Sequence, residues 1–353
     1  MQQKIRVLFV TASTTGGGAE RMLFNIIRSM DGSHEVRLFI TSDAMVPEAY
    51  KNDVLSVNAR KRHAMSAFAS LLRYIKSYRP KHIFTTSSNI GYMLIIIKRL
   101  LRADYKVYIR CAVTPSEIYH DDLKSRILAK VNRMTYNGAE LVISQTEFMR
   151  HDLIKAYNIS PEKVKAIRNI VDVDFVRSQA ELSSGLEFNL DNFNIVAAGA
   201  LYSVKGFDIL IEAISPLIKD SDRHLYILGE ERYESGYRDF LRGLIQKYGV
   251  ERNIHLIGHK SNPYPYFKAA DLFVMSSRKE GYPNVVLEAL ALKTPVVVSD
   301  CVDWSDVIKE GVNGFVAEKN NVNSLRCALD KAISNKFGKI EKIENYNYNV
   351  LFS

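Results

Sequence analysis

A chain of 353 residues is long enough for two domains, and a composition of 47% hydrophobic and 25% charged residues excludes a disordered protein. No apolar run approaches the roughly 20 residues that a membrane-spanning helix needs. The three cysteines, Cys111, Cys301 and Cys327, lie far apart in sequence, which argues against a disulfide framework or a zinc site and suits a reducing cytoplasm.

The formal net charge of +9 is distributed unevenly along the chain. Residues 1–175 contain 27 Lys and Arg against 16 Asp and Glu, whereas residues 176–353 contain 21 against 23. A basic first half indicates an anionic partner, either nucleic acid or an anionic membrane surface. A solvated basic surface with no dedicated partner is the third alternative, and charge alone does not choose among them.

The first half alternates apolar, β-branched runs with helical patterns. Strands are predicted at 5–11, 36–40, 54–57, 82–86, 106–110, 140–144 and 164–167, and helices at 19–30 and 65–78 with others between. This alternation predicts a parallel sheet covered on both faces, an α/β fold. Ligands of such sheets bind at the carboxyl ends of the strands.

Three glycines, Gly16, Gly17 and Gly18, follow the first strand and precede a helix. Glycines at this place let the backbone approach a ligand closely. The spacing is not GxGxxG and no acidic residue is placed to hold a ribose, which argues against a dehydrogenase. A plain turn is the alternative, but three consecutive glycines are more than a turn requires.

A second alternating set follows a polar stretch. Its strands are predicted at 194–198, 224–228, 253–257, 272–275 and 296–299, and its helices at 206–218, at 237–248 and after Asn284. The sequence therefore predicts two Rossmann-like domains, 1–172 and 193–335, joined by a linker at 173–192. The tail, 336–353, is a candidate to return to the first domain.

The segment SSRKEGYPNVVLEALALKTPVVVSD combines carboxylates with a helix start. Glu280 precedes the helix, Asn284 is predicted to cap it, and Glu288 lies one turn inside. The N–H groups of Val285 and Val286 form an anion site through geometry and the helix dipole. Carboxylates that accept hydrogen bonds from hydroxyls, beside N–H groups that bind phosphate, suit a nucleotide sugar. The simpler interpretation is an ordinary turn, in which a glutamate near a helix start only interacts favourably with the helix dipole.

Lys205 lies in GALYSVKG, at the start of the first helix of the second domain. The helix dipole disfavours a cation at this end, so a lysine there is explained if an anion binds nearby. A solvated loop lysine is the alternative.

Five segments together resemble glycosyltransferase family 4, spanning nearly the whole chain. They are GGGAER, GALYSVKGFDILIEA, NPYPYFKAADLFVMSS, the segment with the two glutamates, and GVNGFV. The resemblance implies a GT-B fold, in which two Rossmann-like domains face each other across a cleft. It also implies retaining transfer of a sugar from a nucleoside diphosphate donor, with no DxD motif, no required metal and no cofactor.

The resemblance also implies roles for single residues. Glu280 would contact hydroxyls of the donor sugar, Glu288 would hold the ribose, and Lys205 would neutralise the leaving diphosphate. Asn284, Val285 and Val286 would complete the donor site. Gly17 and Gly18 would shape the diphosphate and acceptor side. The acceptor would attack from the face of the leaving group, without a carboxylate nucleophile spaced as in a retaining glycosidase.

Among the departures from the family pattern, two concern the contacts with the donor. Ala200 stands where an Arg usually binds phosphate, and Arg278 is our candidate to replace that Arg. The region after Arg110 lacks the usual donor-contacting His; His120 is a candidate for its role, and a surface histidine is the alternative.

From the resemblance we expect a cytoplasmic enzyme, peripheral on the inner face of the membrane, that extends a lipid-linked saccharide in bacterial surface polysaccharide assembly. The expected donor is UDP-GalNAc, transferred in an α-1,3 linkage to a diphosphoundecaprenol-linked sugar. UDP-GlcNAc, UDP-galactose and GDP-sugars remain open, and no nucleic acid partner is expected. The alternatives are a UDP-sugar epimerase of the same fold, and a basic nucleic-acid- or membrane-binding module without catalysis.

Overall fold

The chain folds into two compact units. The computed structural model describes residues 4–14, 17–61, 64–111, 114–115, 123–182, 185–232, 234–338, 340–341 and 345–353. The first unit comprises residues 1–170 with 345–353, and the second comprises residues 171–344. Among the described residues, no helix combines the length and the apolarity needed to cross a bilayer.

The first unit is a seven-stranded parallel sheet with helices. Its strands are β1 (Ile5–Thr11), β2 (His34–Ile40), β3 (Leu55–Asn58), β4 (His82–Thr85), β5 (Lys106–Arg110), β6 (Leu141–Ser144) and β7 (Val164–Ala166). Its helices are α1 (Gly18–Ser29), α2 (Phe68–Tyr78), α3 (Ser88–Leu101), α4 (Leu123–Gly138) and α5 (Glu147–Tyr157). The strand order is β3-β2-β1-β4-β5-β6-β7, with every pair parallel.

Hydrophobic runs explain why these segments become central strands. In β1 the four consecutive residues from Val7 to Val10 are fully buried, as expected for a strand covered on both faces. Helix α1 buries Met22, Leu23, Ile26 and Ile27, which recur at helical spacing. The predicted parallel sheet of the first half is confirmed.

The last nine residues belong to the core of the first unit. Phe352 is fully buried, and its ring contacts those of Tyr108, at 5.2 Å between centroids, and Phe9, at 6.1 Å. The side chain of Asn349 accepts a hydrogen bond from the N–H of Asp31 at 3.1 Å and donates one to the carbonyl of Ser29 at 3.0 Å. The segment is therefore held by aromatic packing and by paired amide groups.

The second unit is a six-stranded parallel sheet with helices. Its strands are β8 (Phe193–Ala198), β9 (Arg223–Leu228), β10 (Ile254–Gly258), β11 (Leu272–Met275), β12 (Val296–Ser299) and β13 (Gly314–Ala317). Its helices are α6 (Val173–Ala180), α7 (Phe207–Ile218), α8 (Tyr237–Tyr248), α9 (Tyr264–Ala269), α10 (Asn284–Ala291) and α11 (Val322–Ser334). The strand order is β10-β9-β8-β11-β12-β13, so the direction of winding reverses between β8 and β11.

Helix α6 corrects the predicted linker at 173–192. The side chain of Asp172 caps this helix by accepting a hydrogen bond from the N–H of Phe175 at 2.9 Å. Val173, Val176 and Ala180 are buried on one face, and α6 packs against α9 and α10. The polar residues between these three positions hide their helical spacing, which is why the stretch resembles a linker in sequence.

Candidate active site

The predicted site residues of the second unit meet at the carboxyl edge of its sheet. Residues 199–206 follow β8, and residues 276–283 follow β11, its parallel neighbour. The strand order changes direction between these two strands. At such a switch point the loops that follow the two strands run in opposite directions, and a crevice lies between them. Lys205, Arg278 and Glu280 all lie on these two loops.

Gly206 lets the two loops touch. Its φ of +64° is in the left-handed region, and an added Cβ would stand 2.2 Å from the carbonyl oxygen of Ser276. The hydroxyl of Ser276 donates to the carbonyl of Lys205 at 3.1 Å, and the N–H of Arg278 donates to the carbonyl of Val204 at 2.8 Å. The backbone around Lys205 is thus fixed against the segment that carries Glu280.

Lys205 and Glu280 form an ion pair. The ammonium of Lys205 donates to Oε1 of Glu280 at 2.5 Å, and the hydroxyl of Ser277 donates to the same oxygen at 2.8 Å. Their side chains are 21% and 15% exposed, so the pair lies in a recess that solvent still reaches. No described residue donates to the other oxygen, Oε2, which leaves an acceptor beside an ammonium that has further protons to donate.

Helix α10 begins differently from the prediction. Asn284 is its first helical residue, and Pro283, with extended backbone angles, occupies the cap position without a side-chain cap. The predicted capping role of Asn284 is therefore wrong, because its own backbone is already helical. Val285 and Val286 follow in the first turn, as predicted. Because no helical turn precedes them, their N–H groups have no carbonyl partner within the helix.

Glu288 lies one turn inside α10 and is buried, with 2% of its surface exposed. The hydroxyl of Tyr264, on α9, donates to its Oε1 at 3.4 Å. A buried carboxylate requires such donors. The sequence did not single out Tyr264, because no local pattern links α9 to α10.

Arg278 is bound within the second unit. Its guanidinium donates to both carboxylate oxygens of Asp208, at 2.8 and 2.6 Å, and also to the carbonyl of Ser203. The hydrogen bond with Asp208 raises the pKa of Arg278. Burial would raise the pKa of Asp208, but the hydrogen bonds from Arg278 and Tyr237 outweigh it and lower that pKa. Three of its five N–H groups are thus used within the second unit, and the Asp208 carboxylate offsets the positive charge that Arg278 could offer to a phosphate.

The neighbouring strand β12 supports the Glu280 loop. The hydroxyl of Ser299 donates to the carbonyl of Ser277 at 2.5 Å, and the indole N–H of Trp304 donates to the carbonyl of Ser299 at 2.8 Å. Beyond this contact lies a cavity of about 380 Å³. Cys301 follows β12, and burial raises the pKa of its thiol to about 11, so it is protonated at neutral pH and is not a nucleophile.

The glycine loop lies in the first unit. Gly17 directly precedes α1, and its carbonyl accepts the first helical hydrogen bond, from the N–H of Arg21 at 3.0 Å. Gly18 is the first residue of α1. Gly16 and His120 lie outside the described residues. Within the described parts of the chain, no three His, Cys, Asp or Glu side chains are grouped so that they could hold a metal ion.

Two family models match the chain. Residues 16–175 match the model described as Glycosyltransferase Family 4, and residues 178–350 match the model described as Glycosyl transferases group 1. The boundary between the two matches lies next to the boundary between the two compact units.

Relatives with assigned names align with most of the chain. A Campylobacter jejuni protein is 27% identical over 327 residues, covering 89% of this chain and 86% of its own length. It is named as the 4-alpha-N-acetylgalactosaminyltransferase that acts on an N-acetylgalactosamine-N,N'-diacetylbacillosaminyl-diphospho-undecaprenol. The capsular polysaccharide biosynthesis glycosyltransferase CapM of Staphylococcus aureus is 23% identical, covering 84% of this chain and 80% of CapM.

Solved structures share the fold. HepE from Anabaena, in complex with UDP and glucose, matches with a TM-score of 0.77 at 19% identity, covering 94% of this chain and 90% of HepE. The lipopolysaccharide outer core galactosyltransferase WaaB matches with a TM-score of 0.69 at 15% identity, covering 94% and 92%. These matches confirm the predicted GT-B fold class.

Proposed function

The chain belongs to the glycosyltransferases that join a family 4 domain to a group 1 domain, and from this membership we propose that it transfers a sugar from a UDP-sugar to a saccharide carried on a polyprenyl diphosphate. The observation that carries the proposal is the Lys205–Glu280 pair at the switch point of the second sheet. The enzyme acts in the assembly of bacterial surface polysaccharide, at the cytoplasmic face of the membrane.

The pair offers one group for each end of the bond that breaks. Oε1 of Glu280 is held by Lys205 and Ser277, so Oε2 is positioned to accept hydrogen bonds from hydroxyls of the donor sugar. Lys205 has protons left to donate to the diphosphate, whose charge grows as the bond to the sugar breaks. A fixed cation aimed at developing charge lowers the barrier of such a step.

The nucleotide part of the proposal rests on the start of α10. The N–H groups of Val285 and Val286, with the helix dipole, favour a phosphate. Glu288, one turn further, is assigned to the ribose hydroxyls. Uridine is the chosen base because structures of HepE with UDP and UDP-glucose share the fold.

We propose that the reaction retains the anomeric configuration. Glu280 already binds an ammonium through Oε1, which makes it a poor covalent nucleophile. Retention is then reached by attack from the face of the leaving group, where the departing phosphate oxygen takes the acceptor proton. The best assignment of the sugar is GalNAc, supported by the Campylobacter relative. The α-1,3 position stays a prediction, and that relative is named for position 4.

The test is a transfer assay with synthetic polyprenyl-diphosphate acceptors. The full chain is incubated with UDP-GalNAc, UDP-GlcNAc, UDP-galactose, UDP-glucose and GDP-mannose, with and without EDTA, and the product is analysed by mass spectrometry and NMR. The expected result is an α-linked HexNAc product that forms equally well with EDTA. A product with inverted configuration would refute the mechanism, and dependence on a divalent ion would refute the metal-independent donor site.

The same assay separates the two alternatives. An epimerase would convert the UDP-sugar without any acceptor, so a changed free UDP-sugar with no transfer product would replace our proposal. A binding module without catalysis would leave every UDP-sugar intact. Glu280→Ala would then change nothing measurable, whereas we expect this variant to lose transfer by orders of magnitude.

A further inference from the structure

Three consecutive carbonyl groups before α7 accept hydrogen bonds from the loop that follows β11. The carbonyl of Ser203 accepts one from the guanidinium of Arg278, and that of Val204 accepts one from the N–H of Arg278 at 2.8 Å. The carbonyl of Lys205 accepts one from the hydroxyl of Ser276 at 3.1 Å. Arg278 therefore makes two of these three contacts, one through its side chain and one through its backbone.

Asp208, in the first turn of α7, fixes the direction of the Arg278 guanidinium. Its two carboxylate oxygens accept hydrogen bonds of 2.8 and 2.6 Å from the two terminal nitrogens of Arg278. Tyr237, the first residue of α8, donates to the same carboxylate at 2.9 Å. Paired bonds between two planar groups fix orientation as well as distance, which the ammonium of a lysine cannot do. We call the Arg278–Asp208 pair the clamp.

The clamp acts on the chain next to both members of the Lys205–Glu280 pair. Arg278 precedes Glu280 by two residues, and the carbonyl that its side chain contacts belongs to Ser203, two residues before Lys205. Asp208 follows Lys205 by three residues. The clamp thus joins the backbones on either side of the pair, in addition to the direct contact of 2.5 Å between the ammonium and Oε1.

We propose that Arg278 and Asp208 are positioning residues, which hold Lys205 and Glu280 in the arrangement that sugar transfer needs. The inference rests on the proposed function for the reaction itself. In that reaction the ammonium acts on the diphosphate and the carboxylate acts on the sugar, so an error in their relative position raises the barrier. A misplacement of about 1 Å can slow an enzyme roughly a hundredfold.

The contacts of Arg278 favour this role over the phosphate contact that the family resemblance suggests. Its guanidinium already has three acceptors, and one of them is a carbonyl of the neighbouring loop. A phosphate ligand would act best without a carboxylate beside it, because that carboxylate repels the phosphate. A clamp requires the carboxylate. The two roles therefore predict different results when both side chains are removed together.

Transfer by the full chain, with titration calorimetry of UDP beside it, tests the inference. Arg278→Gln and Asp208→Asn each break the clamp, and the double variant breaks it with an unchanged net charge. We expect each single variant to lose about 10–100-fold in turnover at saturating UDP-sugar. The double variant should lose no more than the worse single variant, because the two residues act as one unit. Arg278→Lys keeps the charge without the planar fork, so it should not restore turnover.

UDP affinity and hydrogen exchange give readouts that do not depend on activity. The double variant should bind UDP within about threefold of the wild type, because the charge around the site is unchanged and a loosened Lys205 still reaches the diphosphate. Amide protection should fall in residues 199–206 and 276–283 and persist in β8 and β11, since the clamp joins the loops and not the strands.

An exposed ion pair on α8 provides the matched control. Arg242 donates to Asp239 at 3.1 Å, and both side chains are exposed. The double variant Arg242→Gln, Asp239→Asn removes the same two charges from the same unit. It should transfer at the wild-type rate and keep the protection of both loops.

Three results would overturn the inference. A loss of about tenfold or more in UDP affinity in the double variant, with turnover kept, would make Arg278 a phosphate ligand. A lower melting temperature with normal turnover well below it would make the clamp a purely stabilising contact. Full turnover in Arg278→Lys would show that charge alone matters.

The wild-type protein separates this inference from the proposed function. If it transfers no sugar while the double variant loses protection in the two loops, the proposed function fails and the clamp remains as the device that holds Lys205 and Glu280. If the wild type and the clamp variants transfer sugar equally well, the proposed function stands and the positioning role fails.

Discussion

Substituting the two partners of the Lys205–Glu280 pair should change UDP affinity in opposite directions. UDP carries the diphosphate but no sugar, so in the proposed site it contacts Lys205 and not Glu280. In the free protein the ammonium and the carboxylate are 2.5 Å apart. Lys205→Gln removes the cation, whereas Glu280→Gln releases the cation from its partner and removes a negative charge that would oppose the phosphates.

The expected magnitudes follow from the exposure of the pair. A hydrogen bond from a charged group contributes about 1.5–3 kcal/mol, so Lys205→Gln should weaken UDP binding by about 10–150-fold. Glu280 is 15% exposed and Lys205 is 21% exposed. The partial screening of such a pair limits the gain for Glu280→Gln to about 1 kcal/mol, or roughly fivefold tighter UDP binding.

Transfer and stability should respond differently from UDP affinity. Both variants should lose about 10²–10³-fold in the turnover of the UDP-sugar, because each removes a group that acts on the breaking bond. Stability should fall by only about 1 kcal/mol, or roughly 2–4 °C in melting temperature, since the pair is partly solvated.

The assays are titration calorimetry with UDP, turnover at saturating UDP-sugar, and thermal unfolding. Lys279→Gln changes an exposed lysine beside Glu280 and serves as the charge control, with near-normal turnover expected. If both Lys205→Gln and Glu280→Gln weakened UDP binding by the same factor, the pair would be a structural contact, and the assignment of the diphosphate to Lys205 would fail.

Three more predictions concern the stability of the two units. Gly206→Ala should destabilise the second unit by more than about 2 kcal/mol in urea unfolding and should lower transfer, because the added Cβ would stand 2.2 Å from a carbonyl oxygen. The control Gly243→Ala places its Cβ in open space on α8, so its stability should be unchanged or raised. Phe352→Ala should cost about 3–5 kcal/mol in the first unit, and Val350→Ala, which is 63% exposed, should cost little, a difference that urea unfolding of the full chain would reveal. Burial, with the charges of nearby lysines, lowers the pKa of His82 to about 4. As the pH falls, His82 is therefore protonated in the unfolded chain at a higher pH than in the folded chain. The stability that neutral His82 confers is therefore complete above pH 6.5 and is lost, by up to roughly 3 kcal/mol, as the pH falls to 4, and His82→Gln should flatten this part of the pH profile.

Periodicity was sufficient to predict the elements that flank the site. Strand β11 and helix α8 begin and end at the predicted residues, because each is a strongly patterned segment between clear breaks. Their order in the chain then predicts parallel sheets and places the ligand at the carboxyl ends of the strands. The sequence could thus bring Lys205 and Glu280 to one edge of the second sheet.

The contacts that fix those two residues could not be predicted. Gly206 lies against Ser276, and this contact leaves no trace in residue spacing, because it joins segments about 70 residues apart. Ser277 lies only three residues before Glu280, but that spacing does not reveal that its hydroxyl donates to the carboxylate. Helix α6 was missed for a related reason. Its stabilisation comes from packing three apolar side chains against α9 and α10, and this is tertiary information.

Arg278 shows how a tertiary contact changes an electrostatic argument. The sequence favours it as the substitute for the phosphate-binding Arg that is missing at Ala200. In the folded unit it makes a bidentate pair with Asp208, and each such charge-assisted hydrogen bond contributes about 1.5–3 kcal/mol. The paired carboxylate offsets the positive charge that Arg278 could offer to a phosphate, and only two of the five guanidinium N–H groups are left to donate. In the proposed site the diphosphate would then depend more heavily on Lys205 and on the amides at the start of α10. We therefore expect Lys205→Gln to impair transfer more here than in a relative that keeps the second Arg.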